Sequence, residues 1–244
     1  MKKLLVILLS ILMVMGLAAC TNNTPTDEPT DEPTVEPTDG NDVVAGGWQI
    51  VDSLPEMDDA IFNEARQGYV GMELSPLQIL GTQPVSGENI AYLCYGTTVA
   101  ANPVTALKIA IVYDDGNKNY EITNVADFNI EDYLDGEGQT TPDGLMGGWK
   151  DNTELPNMLD DKANAVFEKA TEGLVGVGYT PVALLGTQVV AGTNYAFLAL
   201  GTTVTADPMT HLYVISVYED LSGNTTINNI CGINLGNYTA NYTK

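Results

Sequence analysis

The feature that most constrains this chain is that it is written twice. Gly46-Gly47-Trp48 returns as Gly147-Gly148-Trp149, and Leu54-Pro55 as Leu155-Pro156, both 101 residues on. From Phe62 and Phe167 onward the offset is 105: Leu80-Gly81-Thr82-Gln83 returns as Leu185-Gly186-Thr187-Gln188, and Gly96-Thr97-Thr98-Val99 as Gly201-Thr202-Thr203-Val204. Two copies are too few for a solenoid, which stacks three or more, so the pattern is that of a duplicated domain. The four extra residues of copy two fall just after its Leu-Pro, in a helical stretch. Four residues are close to one turn of about 3.6, so the helix lengthens while keeping its buried face.

Within each copy the pattern reads β-α-β-β-β. Pro55 and Pro156 suit a first helical turn. Met57, Ala60, Ile61 and Ala65 form one apolar stripe, and Leu159, Ala163, Val166 and Ala170 the other. Gly68 and Gly173 stop the helices. In copy two, strand-like runs follow at 182–188, 195–200 and 211–218, with a last one near 225–235. One long helix with four or more antiparallel strands predicts an α+β unit, a sheet wrapped over one helix.

The flanks carry an address. Lys2 and Lys3 precede an apolar run from Leu4 to Met15 and then Leu17-Ala18-Ala19-Cys20. This is the order of a secretory signal, and the run is too short for a comfortable membrane span of about 20 residues. Leu-Ala-Ala-Cys resembles a bacterial lipobox, whose cysteine is acylated and becomes the mature N-terminus; an ordinary signal peptide with an incidental cysteine is the alternative. Pro25-Thr-Asp-Glu then repeats from Pro29, Pro33 and Pro37 in variant form, an array without an apolar face that reads as a stiff, extended spacer. The expected layout is a signal peptide over 1–19, lipidated Cys20 and spacer over 20–43, repeat units over 44–130 and 145–244, and a Gly/Pro-rich linker over 131–144. Lipidation would hold the protein on the outer side of a cell membrane, because several acyl chains anchor stably where one does not.

Composition narrows the chemistry. Nine Lys+Arg against 32 Asp+Glu give a formal charge of −23, which repels nucleic-acid phosphate. Three cysteines (Cys20, Cys94, Cys231) and one histidine (His211) show no paired ligand spacing, so neither a metal nor another cofactor is expected. The same scarcity argues against a nucleophile–base enzyme. Cys94 and Cys231 lie in strand-like runs and read as buried free thiols; a bridge between them would need Cα atoms within about 7 Å. Trp48 and Trp149 read as core or sheet anchors, with contact to a partner the alternative.

The junction between the second and third strands of copy two, Gln188-Val189-Val190-Ala191-Gly192, carries the functional signal. Gly192 can take the positive φ that closes a hairpin. Two valines at a solvent-facing tip are unusual and mark a surface that meets a partner, unless the strands run through them. Copy one has Gln83-Pro84-Val85-Ser86-Gly87 at the same place. Gln-x-Val-x-Gly in a first hairpin loop resembles the signature of the cystatin superfamily, and Thr-Gln-Val-Val-Ala-Gly-Thr-Asn-Tyr is similar to its stefin branch. The resemblance extends over both copies: each opens on a Gly-Gly pair, each has a helix before the strand pair, and His211-Leu212-Tyr213-Val214 resembles the stefin strand that follows.

This resemblance implies two tandem cystatin-like domains, each an antiparallel sheet wrapped over one long helix. It also implies a function: reversible, competitive inhibition of papain-like cysteine proteases by a wedge of three segments. In this chain those would be the trunk at Gly46-Gly47 or Gly147-Gly148, the hairpins at 83–87 and 188–192, and a second hairpin that bears Leu221 in copy two. Copy one departs from the pattern, with Pro84 in its loop and a polar second hairpin at 115–118. Fold does not fix function, so a surface binding or adhesion module that does not inhibit is the rival reading.

Overall fold

The computed structural model describes residues 46–51, 59–134, 148–152 and 159–239. Repeat one contains β1 (Gln49–Ile50), α1 (Asp59–Ala65), β2 (Met72–Val85), β3 (Gly87–Thr98), β4 (Thr105–Asp114) and β5 (Tyr120–Asp127). Repeat two contains β6 (Lys150–Asp151), α2 (Asp161–Thr171), β7 (Val177–Val190), β8 (Gly192–Thr203), β9 (Thr210–Glu219) and β10 (Thr225–Gly232). Each repeat makes a five-stranded antiparallel sheet with its strands in sequence order. Asp160 caps α2, its carboxylate accepting from the Ala163 amide at 2.6 Å. Gly173, at φ +81°, follows the end of α2, as its position in the sequence suggests.

Alternation along the strands sends side chains to two different cores. In β3, Ile90, Tyr92 and Cys94 face α1 and pack with Phe62 and Ala65. The intervening Ala91, Leu93 and Tyr95 face the other way, into a central cluster. In β8, Tyr195, Phe197 and Ala199 pack with Ala163, Val166 and Phe167 of α2, while Ala196, Leu198 and Leu200 enter the same central cluster. That cluster draws on both repeats, joining Leu93 and Ile109 of one sheet with Leu198 and Val214 of the other. The layers are therefore helix, sheet, sheet, helix.

This corrects the expected fold class. The chain is mostly β, two five-stranded antiparallel sheets, and the described α-helices have 7 and 11 residues. At 1.5 Å per residue they span about 10 and 16 Å, against roughly 40 Å for a 12-residue strand such as β3. Neither is the long helix over which a cystatin-like sheet would wrap. The physical reason lies in the strands. A sheet wrapped over one helix has one solvated face, whereas every residue from Ile90 to Tyr95 and from Tyr195 to Leu200 is buried, so both faces are covered. Pro55, Pro156 and Met57 lie outside the described residues.

The two repeats meet reciprocally. Asn124 Nδ2 donates to the Tyr238 carbonyl at 2.6 Å, and Asn229 Nδ2 donates to the Tyr133 carbonyl at 2.8 Å. The Tyr133 and Tyr238 hydroxyls bond to each other at 2.6 Å. Burial, above all, raises both phenols, so both stay protonated and one hydroxyl donates to the other. Leu235 packs over Gly81, and Ile130 over Gly186. A Cβ at Gly81 would lie 2.6 Å from the Gln49 carbonyl and 3.2 Å from Leu235 Cδ1, and one at Gly186 would lie 2.7 Å from Ile130 Cδ1. Each of these contacts maps onto its counterpart by the 105-residue offset, so the interface is isologous, a pseudo-two-fold pairing inside one chain.

Cys94 is buried and free. Burial pushes its thiol up to about 12, against a smaller opposing pull from Lys108, so it carries no thiolate at neutral pH. Cys231 is buried too; the free cysteine among the described residues is Cys94, where the expectation of a buried free thiol is met.

A shared core predicts shared stability. Leu198→Ala should cost about 2–5 kcal/mol and lower a single unfolding transition that both repeats follow. Calorimetry of the full chain checks this; two separate transitions, with only one displaced, would show that the repeats are energetically independent.

Candidate functional site

The strand register gathers the three predicted segments at one end of each sheet. In repeat one, Gln49 pairs with Thr82 and Ile50 with Gly81, which sets Gly46-Gly47 beside Gln83. Gln83 Nε2 donates to the Gly46 carbonyl at 2.6 Å, and Asn89 Nδ2 donates back to Gln83 Oε1 at 2.9 Å. Val85 pairs with Gly87 across Ser86, which closes the first hairpin. Glu88 pairs with Asp114, so the β4–β5 turn stands at the same end. The lateral order is trunk, first hairpin, second hairpin.

Repeat two reproduces this. Lys150 pairs with Thr187, Val190 with Gly192 across Ala191, and Thr193 with Glu219. Gly148, two residues before β6, is exposed. Gly147, Cys20 and the residues before each Gly pair lie outside the described residues.

The geometry divides the pentapeptides into builders and presenters. Gln188 is buried and accepts from Asn194 Nδ2 at 2.8 Å, fastening β7 to β8. Gly192 has φ +134°, and a Cβ there would collide with the Glu219 carbonyl and lie 2.8 Å from Tyr218 Cε2. Tyr218 latches the tip, donating from its hydroxyl to the Ala191 carbonyl at 2.5 Å. Tyr113 does the same to Ser86 in repeat one, where Gly87 at φ +119° faces the equivalent crowding. The glutamine and glycine thus build the hairpin. The presented side chains are Val189, 70% exposed, and Ala191 in repeat two, and Val85 and Ser86 in repeat one. Val190 and Pro84 are half-buried in their strands.

Leu221 heads the second hairpin of repeat two, 88% exposed. A recess of about 460 Å³ runs between Gly192-Thr193 and residues 219–223, with Lys162 on its wall. The Lys162 ammonium lies 3.5 Å from Glu219 Oε2 and 5.7 Å from the Tyr195 ring centroid. The Tyr195 hydroxyl donates to the same carboxylate at 2.9 Å. The Tyr195 hydroxyl, ahead of Glu219, raises the lysine. Within the turn, Asp220 accepts from the Ser222 and Asn224 amides at 2.7 and 2.9 Å and from Asn224 Nδ2 at 2.8 Å. The Asn224 side-chain bond comes first among the causes that hold its carboxyl below the usual range.

Sequence reasoning missed the latching tyrosines and the lysines of α2. Tyr113 and Tyr218 were legible only as a repeated pair; their target is a carbonyl on a neighbouring hairpin, which no spacing reveals. Among the described residues, no group of His, Cys, Asp and Glu has metal-holding geometry. A scan against protein-family models finds no match, and a search of curated proteins finds no significant similarity.

The builder role predicts a sharp contrast. Gly192→Ala should destabilise the protein by about 1–3 kcal/mol, because it forces a side chain into sparsely populated backbone space against a carbonyl. Val189→Ala should leave stability within about 0.5 kcal/mol, as exposed substitutions generally do. Denaturant unfolding of both variants checks the pair; equal stability would contradict the close approach at Gly192.

Proposed function

We propose that this chain is a reversible, competitive inhibitor of papain-like cysteine endopeptidases that docks through the hairpin ends of its sheets. The observation that supports this is the alignment of Gly trunk, first hairpin and second hairpin at one sheet end, with Val189 and Leu221 as exposed apolar tips in repeat two. Tips held by strand pairing and tyrosine latches lose little entropy on docking, so their contacts convert efficiently into affinity. Glycines in the trunk let its backbone approach a cleft wall. A binding or adhesion module that uses the same ends without inhibiting is the second reading, favoured by the same exposed tips. Titration of papain separates the two: the inhibitor reading expects stoichiometric loss of activity, weakened tenfold or more by Val189→Asp, since a charge would enter an apolar contact. Full papain activity at micromolar excess of the protein would leave only the binding reading.

We also propose that Cys20 carries the lipid, with residues 21–43 as spacer from the membrane. Cys20→Ala should release the protein from the membrane fraction or block its processing. Unchanged, detergent-requiring membrane association of that variant would overturn the lipid proposal.

A further inference from the structure

The second hairpins of the two repeats share their internal construction and differ in the residues that flank them. Asp115 and Asp220 play the same part, each accepting from backbone amides within its turn and from an asparagine four residues on. In repeat two the hairpin is tied to α2 by two lysines. Lys169 Nζ donates to the Gly223 carbonyl at 2.6 Å, near the tip. Lys162, two helical turns earlier on α2, pairs with Glu219 at the root. At the 105-residue offset, repeat one has Glu64 in place of Lys169 and Lys118 in place of Gly223. Lys118 sits at φ +67°, and an acid at position 64 has no donor to offer a carbonyl. Where repeat two displays Leu221, repeat one has Gly116.

We propose that Lys162 and Lys169 are positioning residues that clamp the second hairpin of repeat two, so that Leu221 is presented as a preorganised anchor for an apolar pocket on the partner. This rests on the docking reading above and deepens it, making repeat two the principal recognition end. The clamp uses exposed ammonium groups, which individually contribute little. Its value lies in two ties on one short turn, which reduce the ordering cost that an exposed leucine would otherwise incur on binding.

The experiment uses the full chain with papain as probe and two readouts, inhibition and amide hydrogen exchange over residues 221–224. Lys169→Ala should speed exchange and weaken inhibition about twofold to fivefold, and Lys169→Arg should restore both. Leu221→Ala should weaken inhibition about tenfold. In that background Lys169→Ala should still speed exchange yet add nothing further to the loss of inhibition, because the lysine acts through the leucine. Unchanged exchange in the Lys162→Ala/Lys169→Ala double variant overturns the clamp, and additive losses overturn the coupling to Leu221. If the native chain leaves papain untouched, the function proposed above fails on its own, and the exchange data alone decide the clamp.

Discussion

Two sheets lean on one another through faces that water would otherwise cover, and the remaining architecture follows from that contact. Leu93, Ile109, Leu198 and Val214 meet in one cluster. Each such side chain is worth about 1.5–3 kcal/mol when fully buried. The outer faces are covered by α1 and α2, which supply Phe62 and Phe167 as their largest buried groups. With both faces of each sheet occupied, the surfaces left for recognition are strand edges and strand ends.

The ends are shaped by the same packing. β2 departs from regular register with β3 between Pro76 and Gln78 and between Ile79 and Gly81, and β7 departs from β8 at the corresponding places. Bulges of this kind bend a strand and increase its twist. The second one falls at Gly81 and Gly186, where Leu235 and Ile130 of the opposite repeat cross closest to the sheet. The bend and the missing side chain together make room for the pseudo-two-fold contact, while the strand continues to the Gln-x-Val-x-Gly hairpin. Core packing and hairpin presentation are therefore properties of the same two strands.

The pentapeptide changes meaning in this setting. Its glutamine and glycine are accounted for by hairpin construction: a buried amide pairs with Asn194, and a positive-φ residue is pressed against the next strand. A motif explained in this way does not identify a partner. What discriminates is the chemistry of the exposed tips, where the repeats diverge: Val189, Ala191 and Leu221 in one, Val85, Ser86 and Gly116 in the other. Duplication preserved the scaffold residues and left the presenting residues free to differ.

Much was legible in the sequence. The duplication shows as repeated residues, and the succession of strands along the chain, the hairpin at Gly192 and the stop at Gly173 follow from local rules of turn geometry and residue type, which act over a few residues. The length of the helices and the partner of each sheet's second face do not. Ile90-Ala91-Tyr92-Leu93-Cys94-Tyr95 and its counterpart Tyr195 to Leu200 are apolar at every position, a signal for two-sided burial, but periodicity cannot say what lies on either side. That was decided by contacts between residues a repeat apart, such as Tyr133 with Tyr238 and Asn124 with the Tyr238 carbonyl. The sequence by itself determined two similar sheets with glycine-closed hairpins, because backbone conformation is set locally. Only the tertiary structure decided that the sheets share one core and that α2 reaches the Leu221 hairpin, because burial and hydrogen bonding between segments far apart in the chain are settled only when their surfaces meet.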